Sequence, residues 1–309
     1  MLRLSREPDF ALGRFFMSPI LGCSANCAFC YIFSEGYSFG PTLNSYTLAD
    51  SIKWICCHDQ YRAGRDGSVI SIGAWGDPFP PGDSDAAARS IRWIEVACGL
   101  GNPVQLMSRF RVPEWVAREV ASFVLYPNQL LFSTSISTFR LWRRTESLTD
   151  SPSERLETLD TFRTRGIPVN IMIKPFLLGI TEAEIEQFLL EMERHEIQNC
   201  VVGDLYWDER IRRRIEASDI CTCVDVPAYC AGGHSRRLDC SKSQLWTSRG
   251  PGVLDDFIGQ LRDRGISSYK KSTCVNANLL RVDNPSQFRL HDPDGYCIRC
   301  GNCGREEPE

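Results

Sequence analysis

Residues 21–31 of this 309-residue chain read Leu21-Gly22-Cys23-Ser24-Ala25-Asn26-Cys27-Ala28-Phe29-Cys30-Tyr31. Three thiolates in a C-x3-C-x2-C spacing, Cys23, Cys27 and Cys30, can bind three irons of a 4Fe–4S cubane and leave its fourth iron without a protein ligand. A structural zinc site is the main alternative. It needs a fourth protein ligand, however, and the next cysteines in the chain are Cys56 and Cys57. The spacing therefore favours an iron–sulfur site with one open iron.

The cysteine content of the whole chain supports the same interpretation. There are 15 cysteines, an odd number, in a chain too long for a small disulfide-stapled domain. In a reducing compartment, clustered cysteines more often bind metals or clusters. No apolar run approaches the roughly 20 residues that span a bilayer, and residues 1–6 lack the apolar stretch of a secretory signal. These features predict a cytoplasmic protein that makes no membrane contact.

The formal net charge is −4, which argues against an overall electrostatic attraction to nucleic acid. Local basic stretches occur in residues 262–289 and at Arg210, Arg212, Arg213 and Arg214. Solvated helix faces and loops are the plainer explanation for both stretches.

Apolar segments alternate with helical patterns along the first two thirds of the chain. Strands are predicted at 18–22, 69–74, 104–108, 130–135, 169–173 and 200–205, and helices at 48–62, 85–98, 113–125, 153–165 and 182–195. This alternation predicts an α/β fold with a parallel sheet covered by helices. Six such units predict a partial (β/α)6 TIM-like barrel, with its chemistry at the carboxyl ends of the strands. A closed eight-stranded barrel and an open doubly wound sheet fit the pattern as well.

Two helix starts can be predicted in more detail. Ser153 is a candidate N-cap for the fourth helix, and Thr181 with Glu184 forms a capping-box pattern for the fifth. After about residue 208 the alternation ends and a region rich in Cys, Gly and Ser follows, with one further helix predicted at 251–264. The chain is therefore divided into a barrel domain, 1–207, and a C-terminal extension, 208–309, that forms a small irregular cysteine-rich cap.

The extension contains a second group of cysteines. Cys297, Cys300 and Cys303 lie close together, and Cys274 precedes them. Four cysteines can complete the shell of an auxiliary 4Fe–4S cluster or of a tetrahedral zinc site, and three closely spaced ones favour iron–sulfur. A further set could bind another metal, although its spacings match no familiar site and buried or free thiols are the plainer interpretation: Cys221, Cys223, Cys230, Cys240 and His234.

The first cysteine motif, with Phe29 before its last cysteine, resembles that of the radical S-adenosylmethionine (SAM) superfamily. The resemblance continues in order through the segments 71–79, 132–138, 144–146, 151–156, 166–169 and 173–176. In that order and at those spacings, residues 17–207 resemble the spore photoproduct lyase-like branch. The cysteine motif is highly specific, whereas the later segments are persuasive only as an ordered set.

This resemblance implies an enzyme that binds a 4Fe–4S cluster and SAM. Such an enzyme cleaves SAM reductively to a 5′-deoxyadenosyl radical, which abstracts hydrogen from a substrate; the electron comes from a donor such as flavodoxin or ferredoxin. The branch slightly favours a nucleobase, nucleotide or modified DNA as substrate. Two alternatives are modification of a peptide or small metabolite with help from the auxiliary cluster, and a non-catalytic iron–sulfur or zinc module that binds nucleic acid.

The resemblance also suggests which residues contact SAM. Ser135 matches a serine of the branch that contacts SAM, and Arg109 falls where the lyases place a lysine that reaches the SAM carboxylate. Asp77 is the best acid for the SAM ammonium group. Tyr31 and Lys174, within or next to the matching segments, complete the predicted SAM contacts. Helix capping for Asp77 and Ser135, and a surface charge for Arg109, are the plainer roles.

One position departs from the branch. Photoproduct lyases have a hydrogen-donating cysteine three residues before the acid that matches Asp77, and this chain has Ala74 there. The substitution speaks against a typical photoproduct lyase activity.

Overall fold

The computed structural model describes residues 3–11, 13–218, 236–237, 246–248 and 252–282. The strands are β1 (Asp9–Ala11), β2 (Arg14–Met17), β3 (Ile20–Leu21), β4 (Thr42–Leu43), β5 (Val69–Ile72), β6 (Val104–Ser108), β7 (Leu130–Ser135), β8 (Val169–Ile173), β9 (Asn199–Val202), β10 (Leu205–Trp207), β11 (Arg236–Arg237), β12 (Trp246–Ser248) and β13 (Ser267–Tyr269). The helices are α1 (Leu48–Cys56), α2 (Ser84–Gly99), α3 (Glu114–Ser122), α4 (Trp142–Thr145), α5 (Pro152–Arg163), α6 (Ile185–Arg194), α7 (Glu209–Glu216), α8 (Val253–Asp263) and α9 (Ser272–Leu280), and a 3-10 turn, Glu182–Glu184, precedes α6.

An eight-stranded sheet organises the fold, in the order β1-β2-β5-β6-β7-β8-β9-β13. β1 pairs with β2 antiparallel, and every other pair in this sheet is parallel. β1 and β13 are its two edges, so the sheet formed by the described residues is open. The predicted α/β fold with a partial TIM-like barrel is confirmed, and the part of the chain that the structure describes forms no closed barrel.

Each strand of the sheet has an outer and an inner face, because successive side chains point in opposite directions. The outer face is apolar and packs on the helices, as Leu106, Phe132 and Ile171 do against Leu159 and Phe188. The inner face is mixed. It has an apolar patch that includes Leu131, Met172, Val201 and Tyr269, and buried polar residues such as Gln105, Ser133 and Asn170. The polar side chains of the inner face can form hydrogen bonds with a bound ligand.

The first predicted strand, 18–22, was misplaced. Arg14–Met17 pairs with β5 in the main sheet, whereas Ile20–Leu21 pairs with Thr42–Leu43 in a separate two-stranded sheet. Pro19 separates the two segments, and proline has no N–H to donate to a ladder.

The main sheet also contains a seventh parallel strand, β13, which lies in the predicted extension. Its sequence, Ser267-Ser268-Tyr269, shows no apolar run, so only pairing with β9 reveals it.

The helix starts differ from the prediction in both detailed cases. Ser151, and not Ser153, caps α5, and it forms a complete capping box with Glu154. Thr181 makes no side-chain cap. Instead, its hydroxyl donates to the carbonyl of Ser137, and Glu184 accepts from Thr138 and from the backbone N–H of Phe139. Tertiary partners therefore replace the local capping box.

The helix predicted at 251–264 is confirmed as α8. No helix within the described residues is long and apolar enough to span a membrane.

Candidate functional site

The cysteine motif lies on a loop between the paired strands β3 and β4. The backbone N–H of Gly22 donates to the carbonyl of Trp75 at 2.9 Å, and that of Gly40 donates to the carbonyl of Cys23 at 3.2 Å. Gly22 has φ +77°, and a Cβ there would lie 2.4 Å from the carbonyl oxygen of Gly40. Only glycine allows the chain to turn into the loop this tightly.

The three thiols lie in a largely desolvated pocket. Cys27 is 3% exposed, and Cys23 and Cys30 are half-buried. Burial raises the pKa of all three thiols, that of Cys23 to about 12, while the positive charge of Arg109 acts in the opposite direction on each. A metal centre would supply the positive charge that holds them as thiolates.

The number of cysteines on the loop bears on the kind of metal site. A structural zinc ion takes four protein ligands, and the loop supplies three cysteines. A cubane assigns each thiolate to a different iron, so its ligands are spread over one face of the cluster. Three thiols and a nearby arginine also suit a cluster that is anionic once bound to thiolates. Cys23, Cys27 and Cys30 are therefore a suitable donor set for a cluster with one open iron.

Two other segments hold the cysteine loop in place. The backbone N–H of Ala28 donates to the carbonyl of Thr145, the last residue of α4, at 2.8 Å. From α7, Arg214 donates to the carbonyl of Cys27 at 2.6 Å, and its guanidinium lies over the ring of Phe33. The sequence showed Arg214 only as one of several arginines in a basic stretch. Its position on the buried side of α7, between Ile211 and Ile215, is the signal that could have distinguished it.

Arg109 follows β6 and connects several elements of the site. One guanidinium nitrogen, Nη2, donates to the carbonyl of Lys174 at 2.8 Å. The other, Nη1, lies 3.1 Å from Oε2 of Glu146 and forms an ion pair with it. The group also lies over the ring of Phe29, 5.4 Å from its centre. Arg109 is thus positioned beside the cysteines with an N–H group still available for a ligand.

Asp77, which follows β5, is buried and accepts three hydrogen bonds. Its Oδ1 accepts from Phe79 N at 3.0 Å and from the hydroxyl of Ser108 at 2.8 Å, and its Oδ2 accepts from Arg109 N at 2.7 Å. Burial raises the pKa of this carboxyl against the opposing effect of these donors. Asp77 therefore joins the loops after β5 and β6, and its charge is close enough to Cys23 to raise the pKa of that thiol.

A buried ion pair between Glu146 and Arg155 supports the guanidinium group of Arg109. Glu146 and Arg155 are both 0% exposed, and Nη1 of Arg155 lies 2.6 Å from Oε2 of Glu146. The same nitrogen donates to the carbonyl of Ser135 at 2.5 Å. Burial alone would raise the pKa of Glu146, but the charges of Arg155 and Arg109 hold it below its usual range. The sequence segments that resemble the family include both residues, yet no local signal shows that they form a pair.

Tyr31 and Ala74 lie side by side next to Cys30. The Tyr31 hydroxyl donates to the carbonyl of Ala74 at 2.8 Å, and its ring packs edge-on against Trp75. The guanidinium group of Arg6 lies over the Trp75 ring, 3.5 Å from its centre. The position that departs from the family pattern is therefore within the candidate site.

Three of the five residues predicted to contact SAM are joined directly, because Arg109 donates to Asp77 and to the carbonyl of Lys174. The carbonyl of Ser135, at the end of β7, accepts from Arg155. The Tyr31 hydroxyl donates to the carbonyl of Ala74 and to none of the other four. The roles of these five residues as SAM contacts stay predictions.

The second group of cysteines lies mostly outside the described residues. Cys274 is on α9, where it packs against the apolar patch of the inner face formed by residues such as Met172, Val201 and Tyr269. The remaining predicted ligands, Cys297, Cys300 and Cys303, are outside the described residues, as are Cys221, Cys223, Cys230, Cys240 and His234. The auxiliary site therefore stays a prediction.

No protein-family model matches this chain, and no curated protein sequence matches it. In structure, it is similar to spore photoproduct lyase. One variant of that enzyme aligns with TM-score 0.62 and 12% identity over 82% of this chain and 75% of that chain. Another, with bound AdoMet and dinucleoside spore photoproduct, aligns with TM-score 0.59 and 13% identity over 83% and 76%.

The similarity extends to a second kind of enzyme. The radical S-adenosylmethionine methyltransferase TsrM from Kitasatospora setae, with cobalamin and a 4Fe–4S cluster bound, aligns with TM-score 0.51 and 13% identity over 86% of this chain and 56% of that chain. At such identities the likeness establishes the fold. The resemblance inferred from the sequence is confirmed at this level: the chain has the fold of spore photoproduct lyase.

Proposed function

We propose that this protein is a radical SAM enzyme that binds a 4Fe–4S cluster through Cys23, Cys27 and Cys30. The observation that carries the proposal is the position of the three thiols. They lie together on a partly buried loop, beside Arg109, on a fold shared with an enzyme that binds AdoMet. When bound, the reduced cluster supplies the electron that cleaves SAM into methionine and a 5′-deoxyadenosyl radical.

The residues of the chain orient the reactants and exclude water. Arg214 and the Thr145 carbonyl hold the loop in one conformation. The available N–H of Arg109 can donate to the SAM carboxylate, since a guanidinium binds carboxylates with well-defined geometry. The Tyr31 hydroxyl ties the cysteine loop to the carbonyl of Ala74, and Asp77 binds the backbone of Arg109. Binding energy from such contacts positions the substrate close to the reactive carbon.

The finer parts of the proposal are the substrate, the electron donor and the second cluster. We favour hydrogen abstraction from a nucleobase, nucleotide or modified DNA, and spore photoproduct lyase with its dinucleoside ligand supports this choice only as an analogy. Ala74 in place of a hydrogen-donating cysteine favours an outcome other than photoproduct repair. A flavodoxin or ferredoxin would deliver the electron, and Cys274 with Cys297, Cys300 and Cys303 would hold the auxiliary cluster.

Anaerobic reconstitution of the full chain tests the activity. With dithionite and SAM, the protein should release 5′-deoxyadenosine and methionine, which chromatography and mass spectrometry detect. The iron content should be about four per chain for the first cluster alone and about eight with the auxiliary cluster. About four irons with one zinc would assign the tail to zinc. A protein with full iron content that releases no 5′-deoxyadenosine would refute the proposed activity.

Replacing Arg109 with Met should weaken SAM binding about ten- to a hundredfold, because one charge-assisted contact contributes roughly 1.5–3 kcal/mol. Arg109→Lys should bind SAM with intermediate affinity, since it keeps the charge but loses the planar pair of donors. Equilibrium binding of SAM to the reconstituted variants measures the effect, and their iron content should stay at the wild-type value.

The matched control for this prediction is Arg111→Met. Arg111 lies two residues further along the same loop, and its side chain is 62% exposed beside Glu157. SAM affinity should be the same in this variant and in the wild type. Equal losses in the Arg109 and Arg111 variants would show that Arg109 makes no specific contact with SAM.

A further inference from the structure

The inner face of the sheet contains a continuous row of polar side chains. Gln105, at its centre, accepts from Arg14 at 3.2 Å and from the Ser71 hydroxyl at 3.4 Å. Its amide donates to Ser133 at 3.5 Å, and Ser133 in turn donates to Asn170 at 2.5 Å. This row spans five neighbouring strands, β2 and β5 to β8. An enclosed row of this kind provides hydrogen-bonding groups to whatever occupies the barrel interior.

Two cations, Arg14 and Lys174, lie in the same interior. Neither forms a salt bridge within the described residues, although the charge of Asp204 acts on Lys174. The Nε of Arg14 is buried and has no hydrogen-bond acceptor, although its guanidinium packs over the Phe16 ring. The charge of Lys174 is close enough to that of Arg14, and to that of Lys271, to be repelled by both. Burial and this repulsion lower the pKa of Lys174 to about 7.

The fold makes specific room for the Lys174 side chain. Lys174 directly follows β8, and its methylene chain crosses Gly203, which directly follows β9. A Cβ at residue 203 would lie 2.4 Å from Cε of Lys174. The backbone of Gly203 takes part in ordinary hydrogen bonds with Ile173 and Phe176. The missing side chain at 203 therefore directs the ammonium group into the interior.

We propose that Arg14 and Lys174 form a binding site for an anionic group of the substrate, a phosphate or a carboxylate. This proposal rests on the proposed function in one respect. It takes the bound anion to be part of the enzyme's substrate, in the barrel interior beside the SAM site. Two half-buried cations whose charges repel one another have lost part of their hydration, and an anion between them would compensate both costs. Arginine and lysine donors are also the usual partners of phosphate and carboxylate oxygens.

Lys271 and the polar row agree with this assignment. Lys271 precedes α9 at the carboxyl end of β13, so its charge adds to the positive potential at the mouth of the interior. Asp204 is the carboxylate that acts on Lys174 in the opposite direction. The Gln105 and Ser133 side chains lie deeper, where they can bind the polar part of a substrate anchored by its anionic end. The site thus selects a small substrate with one charged end and one polar end.

Titration calorimetry of the reconstituted full chain with inorganic phosphate tests the site. Arg14→Met and Lys174→Met should each lower the phosphate affinity roughly tenfold or more, since each removes one charge-assisted donor. Gly203→Ala should lower it as well, although it keeps every charge, because the new methyl group displaces the Lys174 chain. Lys270→Met is the matched control: Lys270 neighbours Lys271 but pairs with Asp255 at 2.7 Å, and its loss should leave the phosphate affinity within about twofold.

SAM affinity, measured on Arg14→Met, separates the two possible sources of the anion. We expect this variant to retain it while its phosphate affinity falls. A parallel loss of SAM affinity, with competition between SAM and phosphate, would assign the cations to the SAM carboxylate and overturn the substrate site. Equal phosphate affinity in the wild type and all variants would overturn it too. Because phosphate binding needs no SAM cleavage, a protein that binds phosphate but releases no 5′-deoxyadenosine would refute only the proposed activity.

Discussion

Substituting Cys23, Cys27 or Cys30 with Ala should remove about four irons per chain and abolish the release of 5′-deoxyadenosine from SAM. A cubane with one open iron needs all three thiolates, so a protein with two of them cannot retain a site-differentiated cluster. The iron content of the anaerobically reconstituted protein and the yield of 5′-deoxyadenosine measure the two effects. Iron content and 5′-deoxyadenosine release should be lost together in each of the three variants.

Cys56→Ala is the control for this experiment. Cys56 is exposed at the end of α1, on the outside of the fold. Its variant should keep the wild-type iron content and SAM cleavage. If any of the three loop variants remained fully active, the cluster would have to be assigned to other ligands.

Replacing Glu146 with Gln should destabilise the protein by about 3–5 kcal/mol, because it leaves the buried Arg155 and the nearby Arg109 without their shared carboxylate. Urea unfolding of the full chain at pH 7, with the midpoint and slope compared with those of the wild type, measures the change. The SAM affinity should fall in the same variant, since the guanidinium of Arg109 loses the group that holds it beside the cysteine loop.

The control for this prediction is Glu114→Gln. Glu114 also pairs with an arginine, Arg165, at 2.5 Å, but its side chain is 77% exposed. A surface pair of this kind contributes about 0–1 kcal/mol. Equal unfolding free energies for the two variants would show that the Glu146 pair stabilises the fold no more than a surface contact does.

The stability difference between the wild type and Glu146→Gln should also depend on pH. The folded-state pKa of Glu146 lies below its ordinary value, which is about 4.3. The stabilisation by its charge is therefore complete above the ordinary value and is lost as the pH falls through the lower, folded value. The glutamine variant has no such group to protonate. The two unfolding free energies should therefore approach each other in acid.

Much of the fold could be predicted from the sequence because its signals are local. The strands β5 to β9 read as apolar runs, since their outer faces are buried under helices and a central parallel strand has little exposed surface. The cysteine spacing is equally local, because Cys23, Cys27 and Cys30 lie within eight residues of one another. The order of the family-like segments extends this local signal along residues 17–207.

The elements that the sequence prediction missed depend on distant partners. β2 has four residues and β13 has three, which is too short for a clear period-two pattern, and their pairing with β5 and β9 identifies them as strands of the main sheet. Glu184 carries a capping-box signature, but the Thr138 hydroxyl and the Phe139 N–H are better donors for it in the folded chain. In each case a contact far away in sequence outweighs the local preference.

The sequence by itself predicted the parallel α/β sheet, which the structure confirms, and it supplied the three candidate cysteine ligands and the candidate residues at the carboxyl edge of the sheet. The tertiary structure alone decided how these residues support one another. Glu146 and Arg155 are nine residues apart, yet the buried pair that they form contacts Arg109, which follows β6. Arg14 and Lys174 are brought together only by the curvature of the open sheet. Burial and Coulomb interactions depend on distances in space, so the energies that assign these roles exist only in the folded chain.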